Sequence, residues 1–138
     1  MLSLSKTTGH AIQALAYLAS CSNPPTSIKD VAEGAGVPQS YLAKIVKKLN
    51  DSGIVASKRG TDGGIWLARP AKLTSLFDII VALEGDDFLG ACLLGPEFCR
   101  AFRVCPTQEF WEKNKQLIRR ELERIKLTDV LEYQIETR

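Results

Sequence analysis

Three of the chain's four cysteines, Cys92, Cys99 and Cys105, fall in one stretch at the spacing C-x6-C-x5-C. Thiolates at this density ligate iron–sulfur clusters or zinc, or act as redox-sensing thiols. The C-x2-C pair of zinc ribbons is missing, which tilts the donor set toward an iron–sulfur cluster, either [2Fe-2S] or [4Fe-4S]. Cys105 immediately precedes Pro106, where a long helix is expected to begin, and the positive end of a helix dipole lowers a thiol pKa. Arg100 and Arg103 add positive charge around Cys99. Such centres usually take four ligands, and the stretch offers three thiols. The fourth is open between His10 (the single histidine), Glu97, Gln108, Glu109, a water, a small molecule and a group from a partner subunit. His10 reads equally as a helix-packing residue. Cys21 stands apart and reads as a small buried hydrophobe.

A second chemistry lies upstream. From Pro38 to Gly60 the basic residues are Lys44, Lys47, Lys48, Lys58 and Arg59, against one acid, Asp51, a local excess of +4 in a chain whose net charge is +2. Concentrated positive charge of this kind is the electrostatic footprint of phosphate binding. Gln39, Ser40 and Tyr41 sit where a helix N-terminus reaches bases or phosphates. Arg59 suits a narrow minor groove, while Gly60, Gly63 and Gly64 let a backbone approach phosphates closely. Ser27, at the start of the preceding helix, joins this set of expected DNA contacts.

The elements that must carry these groups can be traced from pattern. Apolar residues at helical spacing predict a helix from Leu4 to Ser20, ended before Asn23-Pro24-Pro25. Ser27 caps a short helix with Ile28, Val31 and Ala32 on one face, broken by Gly34 and Gly36. Pro38 opens a helix through Leu42, Ile45, Val46 and Leu49, closed by Gly53. Ile54-Val55-Ala56 and Ile65-Trp66-Leu67 read as two strands around a glycine-rich hairpin loop. Thr74 or Ser75 caps a helix that ends at Gly85. Asp86 to Cys105 has no clear period and reads as a loop. Pro106 begins a long amphipathic helix, and a short one starts at Thr128. The predicted fold is mainly α with a small β-hairpin wing, a winged helix-turn-helix plus a long C-terminal dimerisation helix. It divides as 1–85 (DNA-binding domain), 86–105 (cysteine-bearing sensor loop) and 106–138 (dimerisation helix and tail). Trp111, Ile118, Leu122 and Ile125 form an apolar stripe on the long helix, expected to be exposed and then buried against a second copy.

Bulk properties narrow the class. With 45% hydrophobic and 25% charged residues, the chain is a folded globular protein rather than a disordered one. No apolar run approaches the ~20 residues that span a bilayer, and Met1 to Lys6 lacks the pattern of a signal peptide, so no membrane partner and a cytoplasmic location are expected. A single histidine and no nucleophile–base pair or phosphate loop make an enzyme a poor reading.

Leu4-Ser5-Lys6 followed by Ala11, then Ser40-Tyr41-Leu42, then Arg59-Gly60-x-x-Gly63-Gly64-x-x-Leu67-Ala68-Arg69-Pro70, and the closing Ile125-x-Leu127-Thr128-Asp129-Val130-Leu131 resemble the Rrf2 family of winged-helix transcription regulators, and in particular its iron–sulfur members. The resemblance spans nearly the whole chain, and the wing run is its most specific piece. It implies a homodimer joined by the helix from Pro106 to Ile125, reading a pseudo-palindromic operator in double-stranded DNA. It also implies Cys92, Cys99 and Cys105 as cluster ligands. One branch of the family adds a histidine three residues after the last cysteine, where this chain has Gln108. Another adds an acidic residue from the partner's first helix, but no Asp or Glu lies between Met1 and Asp30, which leaves His10 as the nearby ionisable group. The expected function is a regulator whose operator binding follows an iron–sulfur cluster, sensing redox state, nitric oxide or iron and cluster status. Loss of the cluster would free the cysteine loop and shift the spacing of the two reading heads. The alternative on the same fold is a thiol–disulfide or zinc-dependent regulator.

Overall fold

The structure, a computed structural model, describes residues 4–95 and 105–136. Helix α1, Lys6–Ala19, starts two residues later than the apolar pattern suggests, because the Ser5 hydroxyl accepts from the Thr8 N–H at 3.1 Å and so takes the capping position. Its inner face, Ala11, Ala14, Leu15 and Leu18, is buried. Helix α2, Ile28–Ala35, is capped by Ser27, whose hydroxyl accepts from Asp30, and is closed by Gly36 in the left-handed region at φ +68°. Gly34 lies inside this helix rather than breaking it: a Cβ there would collide with the Tyr17 ring of α1. The residue makes room for the tip of the Tyr17 ring.

Helix α3, Gln39–Asp51, buries Leu42, Ile45, Val46 and Leu49 and turns out at Gly53, φ +74°. Strands β1, Val55–Lys58, and β2, Gly64–Leu67, pair antiparallel with Val55 opposite Leu67 and Lys58 opposite Gly64. The ladder is longer than the apolar runs indicated and takes in Lys58 and Gly64. Thr26, just before α2, adds a one-residue bridge to β2: its N–H donates to the Ile65 carbonyl at 3.0 Å and its carbonyl accepts from the Ile65 N–H at 2.8 Å. The wing is thereby hydrogen-bonded to the start of the helix-turn-helix.

Helix α4, Leu76–Glu84, follows a 3₁₀ turn at Ala71–Leu73 and opens with a capping box between Ser75 and Asp78, so Ser75 rather than Thr74 is the cap. Helix α5, Gln108–Arg124, begins two residues past Pro106. Helix α6, Leu127–Glu136, packs on α1. Between α5 and α6 the backbone is laced to the start of α4: the Leu76 N–H donates to Ile125 at 3.0 Å and the Leu127 N–H to Thr74 at 2.8 Å. Leu127 is fully buried in the same core as α1 and α3, with Val130 and Leu131 against it. Leu127, within the segment 106–138, thus shares the core of residues 1–85.

The apolar stripe of α5 also needs correction. Trp111 is not exposed. It is 5% accessible within its own chain, and its indole N–H donates to the Gly90 carbonyl at 3.3 Å. Ile118, Leu122 and Ile125 follow it at helical spacing and are half-buried, on a helix that packs against α4. A tryptophan with a buried polar atom takes the nearest acceptor, and the loop after α4 supplies one. The large apolar side chains that α5 leaves exposed are Phe110 and Leu117.

Candidate nucleic-acid interface and cysteine loop

The core residues of α3 leave its other side outward. Gln39, Ser40 and Tyr41 are exposed in the first turn, and Pro38 offers no capping side chain to the first amide groups. An uncapped helix N-terminus of this kind suits an anion. Lys44 and Lys47 are exposed further along, as are Lys58 at the end of β1 and Arg59 in the hairpin loop. None of these four cations has an ion pair among the described residues. Lys48 is turned differently: its ammonium donates to the Leu83 carbonyl at the end of α4, 3.4 Å away. It meets the negative end of that helix, an engagement invisible in a sequence because the partner is a backbone carbonyl.

The glycines of the wing have reasons within the chain. Gly60 takes φ +108°, and the Gly63 N–H closes the turn onto the Gly60 carbonyl at 3.0 Å. A Cβ on Gly63 would strike the Lys58 carbonyl, and one on Gly64 the Thr26 carbonyl. Gly63 is thus required by the turn and Gly64 by the bridge to Thr26. Ser27 spends its hydroxyl on capping α2.

The cysteine loop is fastened at both described ends. On the α4 side, Phe88 packs against Phe77 with ring centroids 6.2 Å apart, Arg119 of α5 lies 4.9 Å over the Phe77 ring, and Gly90 holds Trp111. Cys92 follows two residues later, partly exposed and free. On the α5 side, Cys105 is also free and partly exposed, with its sulfur 3.2 Å from the Thr107 hydroxyl. That hydroxyl, with the backbone N–H groups of Thr107 and Gln108, holds the thiol below its ordinary pKa against a smaller opposing effect of burial. Thr107 was missed in the sequence; a threonine two residues after a cysteine at a helix start was the available signal. Cys99 and Glu97 lie outside the described residues. Among the described residues no three Cys, His, Asp or Glu side chains converge. His10 is engaged elsewhere, its ring edge-on to Tyr41 of α3 at 5.3 Å. Glu109 pairs with Lys113 at 2.8 Å, while Gln108 stays beside Cys105, its N–H on the Cys105 carbonyl at 3.1 Å. Cys21 donates to the Tyr17 carbonyl at 3.5 Å, on α1. Two uncrosslinked thiols, one of them predisposed to the thiolate, fit the donor chemistry of a cysteine-ligated metal centre.

A helix-turn-helix with an outward face of unpaired cations, a tethered wing and a long following helix defines a winged-helix DNA-binding transcription regulator. The chain matches the family described as Rrf2, iron-dependent transcriptional regulator, over residues 4–133, and it belongs to that family. Regulators of this family are not enzymes; they bind DNA and are typically dimeric. Among solved structures the chain is similar to T. potens IscR, at 32% identity and a TM-score of 0.78, covering 99% of this chain and 91% of that one. It is also similar to CymR (YrzC), described as the global cysteine regulator of B. subtilis, at 25% identity and a TM-score of 0.75, covering 96% of this chain and 98% of that one. No helix among the described residues is long and apolar enough to cross a membrane.

Proposed function

We propose that this chain is a homodimeric transcription regulator whose operator binding is controlled by an iron–sulfur cluster held by Cys92, Cys99 and Cys105. The observation that carries this is the state of Cys105: free, partly exposed and stabilised as a thiolate by Thr107 at the foot of α5. When bound, an iron–sulfur cluster supplies a thiolate-linked crosslink of the loop that oxidation or nitric oxide breaks. The chain's own residues relay the state of that loop. Gly90 grips Trp111, and Phe88 packs on Phe77 beneath Arg119, so displacement of Cys92 bears on both α4 and α5. A second copy docks along α5, covering Phe110 and Leu117 and the accessible edges of Ile118, Leu122 and Ile125. Gln39, Ser40, Tyr41, Lys44, Lys47, Lys58 and Arg59 of each copy meet one half-site of a pseudo-palindromic operator.

The test is an absorption spectrum of protein purified without oxygen, with iron and sulfide assayed on the same sample, followed by operator affinity before and after cluster removal. A brown protein with matched iron and sulfide and at least a tenfold affinity difference is expected. Protein that stays colourless after reconstitution, or equal affinities, would overturn the proposal.

The same Cys105 thiol, its pKa lowered by Thr107, supports a second reading, a thiol switch without a metal. It predicts a colourless protein in which mass spectrometry finds a reversible disulfide among the loop cysteines.

A further inference from the structure

We infer that His10 is a positioning residue for DNA recognition: from α1 its imidazole holds the Tyr41 ring in the orientation from which that phenol meets DNA. The inference rests on the reading of Tyr41 as a DNA contact. The two rings come from different helices and meet edge to face, with centroids 5.3 Å apart and planes at 67°, the geometry that aromatic quadrupoles prefer. His10 is half-buried, and its Nδ1 is buried without a hydrogen-bond partner in the structure. Tyr41 is 36% exposed in the first turn of α3, and its backbone is already fixed, with the Tyr41 N–H on the Pro38 carbonyl at 3.1 Å. The two side-chain torsions are the freedom left to it. An exposed tyrosine ordered only on binding costs affinity through lost rotamers, whereas one ordered on folding does not. Packing against α1 settles those torsions before DNA arrives. It also ties the first turn of the reading helix to α1 at the point where α3 leaves the core.

The experiment uses purified full chain and a duplex selected by the wild-type protein from a randomised pool, with a scrambled duplex as control and iron assayed on every sample. His10→Ala is expected to weaken the selected duplex about three- to tenfold. His10→Phe, which keeps an aromatic edge and removes both nitrogens, is expected to restore binding to within about twofold. On a Tyr41→Ala background, His10→Ala is expected to add nothing. Thermal melting of each variant separates lost recognition from lost folding, and His10→Phe keeps the test open if His10→Ala melts early. Wild-type affinity in His10→Ala overturns the inference, as does binding in His10→Phe as weak as in His10→Ala. So does a His10→Ala loss that persists in full without Tyr41, or iron lost specifically from the His10 variants, which would make the residue a ligand. Unimpaired binding by Tyr41→Ala alone would instead remove the reading of Tyr41 itself, a failure distinguishable from the others because it needs no His10 variant.

Discussion

On α5, Lys113 pairs with Glu109, Lys115 with Glu112 and Arg124 with Glu121, each within three or four residues and at 2.8 Å. On the reading head, Lys44, Lys47, Lys58 and Arg59 have no acid to meet among the described residues. The burial is reversed. The head's helices share a core in which Leu42, Leu49, Ile54 and Val31 are almost wholly enclosed, while α5 buries one residue, Trp111. A helix with neutralised charge and little of its own surface covered has its stability and direction set by what packs against it. A head with a full core and uncompensated charge has its shape settled beforehand and awaits an anion. The difference separates a cationic, well-packed head from a helix that depends on its neighbours.

The largest effect that bears on this contrast is expected from Leu49→Ala, which opens a cavity in the head and costs about 2–5 kcal/mol in a denaturant titration. Leu117→Glu on the exposed side of α5 should shift sedimentation from dimer to monomer and cost the chain less than Leu49→Ala, because it removes only the stabilisation that dimerisation contributes. If Leu117→Glu destabilised the chain as much as Leu49→Ala, the division between a well-packed head and a dependent α5 would collapse. Next comes Gly34→Ala, which pushes the tip of the Tyr17 ring aside; the helical alanine recovers about 1 kcal/mol, so the net loss in thermal or chemical unfolding should fall well below that of Leu49→Ala.

Charge removal sharpens the same contrast without touching stability. Lys44→Ala combined with Lys47→Ala should flatten the salt dependence of operator binding by about two phosphate contacts per protomer, whereas Lys113→Ala with Lys115→Ala should leave the slope unchanged. Lys48→Ala should change the slope less than Lys44→Ala does, since its ammonium is spent on Leu83; an equal change would place Lys48 among the phosphate contacts after all. The smallest effect concerns Thr107→Ala. The Thr107 hydroxyl is the largest influence lowering the Cys105 thiol, so its loss should raise that pKa. In metal-free protein, alkylation of Cys105 by iodoacetamide should then rise with pH later than in wild type. An unmoved profile would assign the activation to the helix start alone.

Much of the head was legible because its punctuation is chemical. Ser27, Gly53 and Ser75 announce helix ends by residue type, and Leu42, Ile45, Val46 and Leu49 announce a buried face by period. What escaped depends on a second segment of chain. Gly34 looks like a helix breaker until Tyr17 is placed beside it. A one-residue bridge at Thr26 has no periodicity to betray it. Trp111 belongs to the apolar stripe by spacing, and only the position of the Gly90 carbonyl shows which way that stripe faces. Lys48 is one lysine among several until the end of α4 is known. At the cysteine site the low-pKa position of Cys105 could be anticipated from the helix start, but not that a threonine hydroxyl contributes most.

The lacing of residues 125–127 to residues 74–76 makes one end of α5 a pivot fixed to the head. A 17-residue helix is about 25 Å long, so the Cys105 end works at the tip of a lever. Swinging α5 by about 10° around that pivot carries the tip through about 4 Å. Conversely, a loop that shortens or slackens by a few ångströms at Gly90 and Trp111 becomes an angular displacement of the whole head relative to whatever grips α5. By this geometry a displacement of a few ångströms at the Cys105 end corresponds to a rotation at the laced end rather than to a bend within the helix.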